Sequence, residues 1–278
     1  MPKFEHIAVP TDLAADSIIV FAHAVKFALG SGAHLKLIHV HPDREKEVPW
    51  INLPTVHDMM ADWQLLPPDA TVYAYDELGL HVRAANWVAA DPTEGAVAAL
   101  TREPPDLLIV GTNRRTGLAR LLKGSVAEAI ARRTKVHTLF VGKETRGFVD
   151  PATGECSLAR VLLPVGPEVN LKNVLRVLDR FLVALTPGAI QVTLLTVNEH
   201  TDLEVGDAQT NPQLQFRVER RDGGVVAQVL DVAREIRAQL ICMPTNDRDS
   251  LADVLLGTRT EQVLQASLCP VLTLRDRT

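Results

Sequence analysis

The sequence predicts an α/β protein of two consecutive domains, each a mostly parallel sheet with helices on both faces. Three observations predict it. Short apolar runs alternate with segments whose apolar residues recur at helical spacing, the pattern of successive βαβ units. That pattern occurs twice along the chain. Finally, 278 residues, 46% of them hydrophobic, are enough for about two cores at roughly 100–200 residues per domain.

In chain order, residues 4–10 (FEHIAVP), 34–41 (HLKLIHVH), 81–88 (HVRAANWV), 107–111 (LLIVG) and 136–141 (VHTLFV) read as strands. Residues 17–29, 93–101 and 126–134 read as helices between them. A further helix over 56–65 lies in an excursion bounded by Pro42, Pro49, Pro54, Pro67 and Pro68. Its Trp50 and Trp63 either pack the excursion down or line a pocket.

The second copy then begins. VLLPVG (161–166) echoes IAVPTD (7–12), and LLTVNEH (194–200) echoes LIHVHPD (37–43). AQLICMPTND (238–247) echoes PDLLIVGTNR (105–114), and LLGTRTEQVL (255–264) echoes LLKGSVAEAI (121–130). So long a repeat is a duplicated domain, since solenoid periods run about 20–50 residues. The polar, turn-rich stretch 143–157 reads as the linker, giving domains at 1–145 and 158–278.

Composition narrows the function. Lys and Arg number 29 against 34 Asp and Glu, a net charge of −5, so no basic excess drives nucleic-acid binding. The greasiest stretches, 18–29 and 174–185, carry His23 and Lys26, or Arg176, Asp179 and Arg180, and do not read as membrane spans. The N-terminal MPKFEHIAVP lacks the apolar run of a signal peptide. Cys156, Cys242 and Cys269 are odd in number and widely spaced, which fits a reducing cytoplasm and buried structural thiols.

The stretch richest in chemistry is GTNRRTGLARLLKGSVAEAI (111–130), which leaves a strand and enters a helix. Ligands of open α/β sheets bind beyond such strand ends. Gly111 lets backbone approach a ligand, and Ser125 opens a helix whose N–H groups and dipole suit an anion. Arg114, Arg115, Arg120 and Lys123 add positive charge. Equally, Ser125 with Glu128 fits a simple capping box, with solvated cations around it. The spacing is neither a Walker A loop nor a dinucleotide GxGxxG.

These residues resemble a known family. ATP-binding universal stress proteins carry Gly-x-x-Gly, nine residues, then Gly-Ser/Thr. Here Gly111, Thr112, Asn113 and Arg114 precede nine residues and then Gly124 and Ser125. A first strand ending in Pro10, Thr11 and Asp12, and a second ending near Val40, also match, so the chain looks like a tandem universal stress protein. The resemblance implies an adenine-nucleotide hydrolase-like (Rossmann-like) fold in each half, five parallel strands in the order 3-2-1-4-5. It implies that Asp12 meets the ribose or adenine side of ATP and that the Val40 backbone meets the adenine edge. Gly111, Gly124 and Ser125 would surround the phosphates, with Mg²⁺ carried by them. Read without the resemblance, Asp12 serves as a helix cap.

Two departures bear on that expectation. Arg114 replaces the second glycine, and either obstructs phosphate or grips it through the guanidinium. In the second half Gly166, Pro244 and Asp247 stand at the Asp12, Gly111 and Arg114 positions, and only Gly257 and Thr258 match. That half is expected not to bind. Hydrolysis is expected to be slow at most, because no general base or catalytic triad is evident.

His39 and His41, with His6 on the neighbouring strand, suggest a metal site only weakly, and Asp58 and Asp62 read as a solvated face. In the resembling family the last strands pair antiparallel across a dimer interface. Residues 136–142 and 270–275 are expected to pair so within this chain, as an internal pseudo-dimer open to a further homodimer. The expected function is a cytoplasmic, nucleotide-dependent stress-response regulator with an unidentified protein partner and no membrane or nucleic-acid role. Its alternatives are a nucleotide-free protein-interaction module and a binder of another small molecule in the same pocket.

Overall fold

Parallel strands buried on both faces need apolar residues at successive positions; the inner strands supply such runs, while the edge strands at 81–88 and 214–221 alternate in burial. The computed structural model describes residues 4–42, 56–70, 74–112, 126–143, 145, 147–185, 188–199, 203, 211–246 and 258–276. The first domain holds β1 (His6–Thr11), α1 (Ile18–Ser31), β2 (His34–His41), α2 (Val56–Asp62), α3 (Ala74–Glu77), β3 (His81–Val88), α4 (Pro92–Arg102), β4 (Leu107–Thr112), α5 (Val126–Thr134) and β5 (His137–Gly142). The second holds β6 (Arg160–Pro164), α6 (Leu171–Val183), β7 (Ile190–Val197), β8 (Leu214–Arg221), α7 (Val225–Glu235), β9 (Leu240–Asn246), α8 (Thr258–Ala266) and β10 (Val271–Asp276).

The ends of these elements have local causes. Asp91 caps α4 by accepting from the Thr93 and Glu94 amides, with Pro92 opening the helix. Gly32 closes α1 in the left-handed region at φ 69°. The helix expected over 56–65 stops at Asp62, and Gln64 turns the chain at φ 58°. The short helix α3 was not evident from periodicity.

Both domains join in one ten-stranded sheet, β3-β2-β1-β4-β5-β10-β9-β6-β7-β8. Each half therefore has the order 3-2-1-4-5, with every strand pairing inside a domain parallel. β5 and β10 meet antiparallel, with Val271, Leu272 and Thr273 opposite Phe140, Leu139 and Thr138. This pairing covers one edge of each half-sheet.

One core runs beneath both halves on the face that carries α1 and α6. Phe27 of α1 meets Phe181 of α6 with ring centroids 4.9 Å apart. On the opposite face α4 and α5 enclose Ile38, Leu108 and Val110, while Val229, Val232 and Val263 of α7 and α8 pack on the second half.

The 143–157 stretch, polar in composition, is packed against the first domain. Phe148 and Val149 are buried, and Val149 bridges to Cys156. The buried His23 ring accepts the Phe148 and Val149 amides at Nε2 and donates from Nδ1 to the Ile19 carbonyl. Trp63 donates to the Pro151 carbonyl at 2.9 Å, so this aromatic packs the excursion down. Trp50 lies outside the described residues.

Candidate functional site

The strand order reverses between β1 and β4, and there the sheet opens. β1 and β4 share only two register pairs, Ile7 with Leu107 and Ala8 with Leu108, whereas each makes six with its outer neighbour. Beyond Ala8 the two strands diverge and leave a crevice at their C-terminal ends, where open α/β sheets bind ligands. Val40 lies one residue past the last β1–β2 pair, Thr11 with His39, so β2 projects beyond β1 at the crevice.

The turn after β1 holds an exposed carboxylate at the end of that strand, beside this opening. The Thr11 hydroxyl accepts the Leu13 amide, and Leu13 sits at φ 60°. That conformation costs a non-glycine residue roughly 1–2 kcal/mol. Asp12 Oδ1 accepts from the Ala14 amide at 3.1 Å and the Ser17 hydroxyl at 3.0 Å. It thus braces the 3₁₀ turn Ala15–Ser17 that leads into α1 rather than occupying the cap position, which is Ser17.

A second group completes the turn. Lys143, the first residue after β5, lays its ammonium 2.9 Å from Asp12 Oδ2 and 2.9 Å from Asp16 Oδ1. Its side chain is 6% exposed, while that of Asp12 is 60% exposed. Partial burial pushes the Asp12 carboxyl up, but Lys143, the Ala14 amide and Ser17 outweigh it and hold the group below its usual range. For Lys143, burial pushes down, while Asp16 and Asp12 outweigh it and raise the ammonium above its usual range.

Gly111 lies directly under the stem of this lysine. A Cβ there would stand 3.1 Å from Lys143 Cε and 3.1 Å from Val20 Cγ2, so the bare glycine lets the lysine stem cross β4. The structure therefore brings Pro10, Thr11, Asp12, Val40 and Gly111 to one end of the sheet. Arg114, Gly124 and Ser125 lie outside the described residues. Sequence reasoning missed Lys143, Asp16 and Ser17. The available signal was positional: Thr112 pairs with Gly142, so the residue after β5 emerges beside the end of β4.

The histidines do not assemble as a trio. His6 is in register with His34, five positions before His39, and the His39 and His41 rings stack with centroids 6.1 Å apart. Among the described residues, no group of three or more His, Cys, Asp or Glu side chains could hold a metal ion. A cavity of about 660 Å³, lined by His6, His34, His81, Tyr75 and Lys36, sits at the opposite, N-terminal ends of the strands.

In the second half, β9 pairs with β6 at Leu240 and Ile241 and then diverges similarly. Gly166 offers no carboxylate there, and Pro244 brings a ring and no N–H where Gly111 stands in the first half. Asp247 and Gly257 are outside the described residues, as is the side chain of Thr258. No helix among the described residues is long and apolar enough to cross a membrane.

The chain is similar throughout its length to solved structures. A universal stress protein from Archaeoglobus fulgidus DSM 4304 shares 20% identity at a TM-score of 0.65, over 97% of this chain and 96% of its own. A functionally unknown protein from Pseudomonas aeruginosa PAO1 shares 14% identity at a TM-score of 0.68, over 98% and 92%. At these identities the likeness speaks for the fold. No curated protein matches significantly. The model of the universal stress protein family matches residues 3–142 and again 161–275, and the chain accordingly belongs to that family as a tandem of two such domains.

Proposed function

We propose that the first domain binds ATP or a related adenine nucleotide, that the second does not, and that occupancy regulates the protein in a stress response. One observation carries this reading: the exposed Asp12 carboxylate at the mouth of the β1–β4 crevice, in the half that also keeps Gly111. Oδ1 accepts from Ala14, Ser17 and Lys143, whereas Lys143 is the donor to Oδ2. A carboxylate oxygen accepts more than one hydrogen bond, so Oδ2 suits a ribose hydroxyl. In this reading the Val40 backbone meets the adenine edge, Lys143 adds charge near the phosphates, and Gly111, Arg114, Gly124 and Ser125 surround them. Mg²⁺ would arrive with the phosphates. Asp12, with its pKa held down, is a weak base, which accords with slow hydrolysis at most.

Equilibrium dialysis of labelled ATP against the wild-type chain and Asp12→Asn tests the reading. Uptake by wild type that falls in the variant supports it, and equal uptake contradicts it. A second reading, a nucleotide-free interaction module, is favoured by Lys143 lying across Gly111 and bound to both aspartates. That reading expects no uptake by either protein.

A further inference from the structure

A second concentration of charge lies at the seam between the two halves. A cavity of about 230 Å³ opens there, lined from the first domain by Phe4, Asp106, Lys135 and His137, and from the second by Arg180 and Arg275. At about 30 Å³ per water this equals the volume of about eight waters, room for a tetrahedral oxyanion and part of its hydration. Three permanent cations line it, and Asp106 is the one carboxylate among its described lining residues.

Each basic group is placed by the fold. Arg275 lies on β10 and is 2% exposed. Its amide donates to His137 Nδ1 at 3.0 Å, so a neutral His137 carries its proton on Nε2. Arg180 stacks its guanidinium 4.5 Å above the Phe4 ring, which orients it at the cavity wall. Lys135 follows α5 in a left-handed conformation at φ 53°, a position where glycine is usual. The Asp106 carboxylate accepts the Glu5 and His6 amides at 2.8 and 2.9 Å.

Duplication does not explain the charge. Leu139 faces Leu272 across the pseudo-twofold axis, so Gly142 is the counterpart of Arg275. By the same register Leu268 and Pro270 are the counterparts of Lys135 and His137. Arg275, Lys135 and His137 therefore have no basic counterpart on the other side of the seam.

We propose that this cavity binds a small, doubly charged oxyanion, either free phosphate or the phosphoryl group of a small phosphomonoester. Arg275, Arg180 and Lys135 hold it, and guanidinium forks suit two oxygens at once. Because these residues come from both domains, the anion ties the halves together and stabilises the folded chain. This inference does not rest on the nucleotide reading.

The test is a thermal-shift and calorimetric titration of the full chain with inorganic phosphate, at ionic strength held constant with chloride. Wild type is expected to show saturable stabilisation. Arg180→Gln combined with Lys135→Gln should weaken the apparent affinity at least tenfold, and Asp12→Ala should respond as wild type does. Lys135→Gln alone, at an exposed position, serves if the double variant does not fold, with a several-fold weakening expected. Glycerol phosphate binding as well as phosphate identifies a phosphomonoester site, and phosphate alone identifies a free-ion site. No saturable response, an equal response in the cavity variants, or loss of the response in Asp12→Ala overturns the proposal.

Discussion

Lys143 Nζ lies 2.9 Å from Asp12 Oδ2, although the two residues are 131 positions apart in the chain. The pair brings the first and last strands of the first domain to one point, beside Gly111, the penultimate residue of the neighbouring strand. Its charges persist from below 3.8, the ordinary Asp value, to above 10.5, the ordinary Lys value. Its contribution to stability is thus present at neutral pH. It is lost as pH falls through the lowered Asp12 pKa or rises through the raised Lys143 pKa.

Lys143→Met removes the cation whose stem crosses Gly111 and releases Asp12. If the ammonium serves the nucleotide, ATP binding weakens by about 1.5–3 kcal/mol, the value of a hydrogen bond to a charged group. Tighter binding in a direct titration would show instead that the lysine plugs the crevice.

Asp12→Ala should weaken ATP binding by a similar margin, roughly 1.5–3 kcal/mol. The variant also leaves Lys143 with Asp16 as its remaining described carboxylate partner. Its melting temperature should therefore be measured alongside the affinity. Unchanged affinity in a folded protein would remove Asp12 from the site.

How much of this was legible in the sequence depends on how local the cause is. Apolar runs and the internal echo between IAVPTD and VLLPVG sufficed for the duplication and for the strands of the first half, whereas the pairing of β5 with β10 was expected only from the family resemblance. Asp12, Val40 and Gly111 were singled out through the family resemblance, and the structure places all three at one end of the sheet. Lys143 was not, because nothing in KETRGFVDPATGECS marks its first residue as the one that crosses Gly111. The same stretch looked like a plain linker because its composition is polar, and only the buried Phe148 and Val149 make it part of the domain. Asp12 had two readings, a cap and a ribose ligand, since a carboxylate after a strand serves either purpose. The geometry gives it a turn-bracing role through Oδ1, with its second oxygen paired to Lys143.

The domain seam offers a steric test. A Cβ at Gly30 would come 1.7 Å from the Ala184 carbonyl oxygen, a backbone atom that cannot move aside cheaply. Replacing a helical glycine by alanine ordinarily gains about 1 kcal/mol. Here overpacking, at about 1–3 kcal/mol or more, outweighs that gain. Gly30→Ala should lower the unfolding free energy in urea by a net of up to about 2 kcal/mol. A stabilised variant would show that α1 and α6 are not in close contact.

His23 supplies a pH test. Burial lowers its pKa from 6.5 to about 4, against the opposing bond to the Ile19 carbonyl. Between those values the unfolded chain binds a proton that the folded chain refuses, so stability falls as pH drops from 6.5 towards 4. The loss is about 3 kcal/mol for a shift of this size. His23→Gln should remove that part of the slope, read as the difference between the two proteins' urea midpoints over this range. Parallel pH profiles would contradict the assignment.

The central claim is one working nucleotide site in the first half and none in the second. Calorimetric titration of ATP into the nucleotide-stripped chain, with and without Mg²⁺, tests it most directly. The account predicts saturation near one ATP per chain. Two equivalents per chain would contradict the silent second half, and no heat at several temperatures with no thermal shift would contradict the site itself.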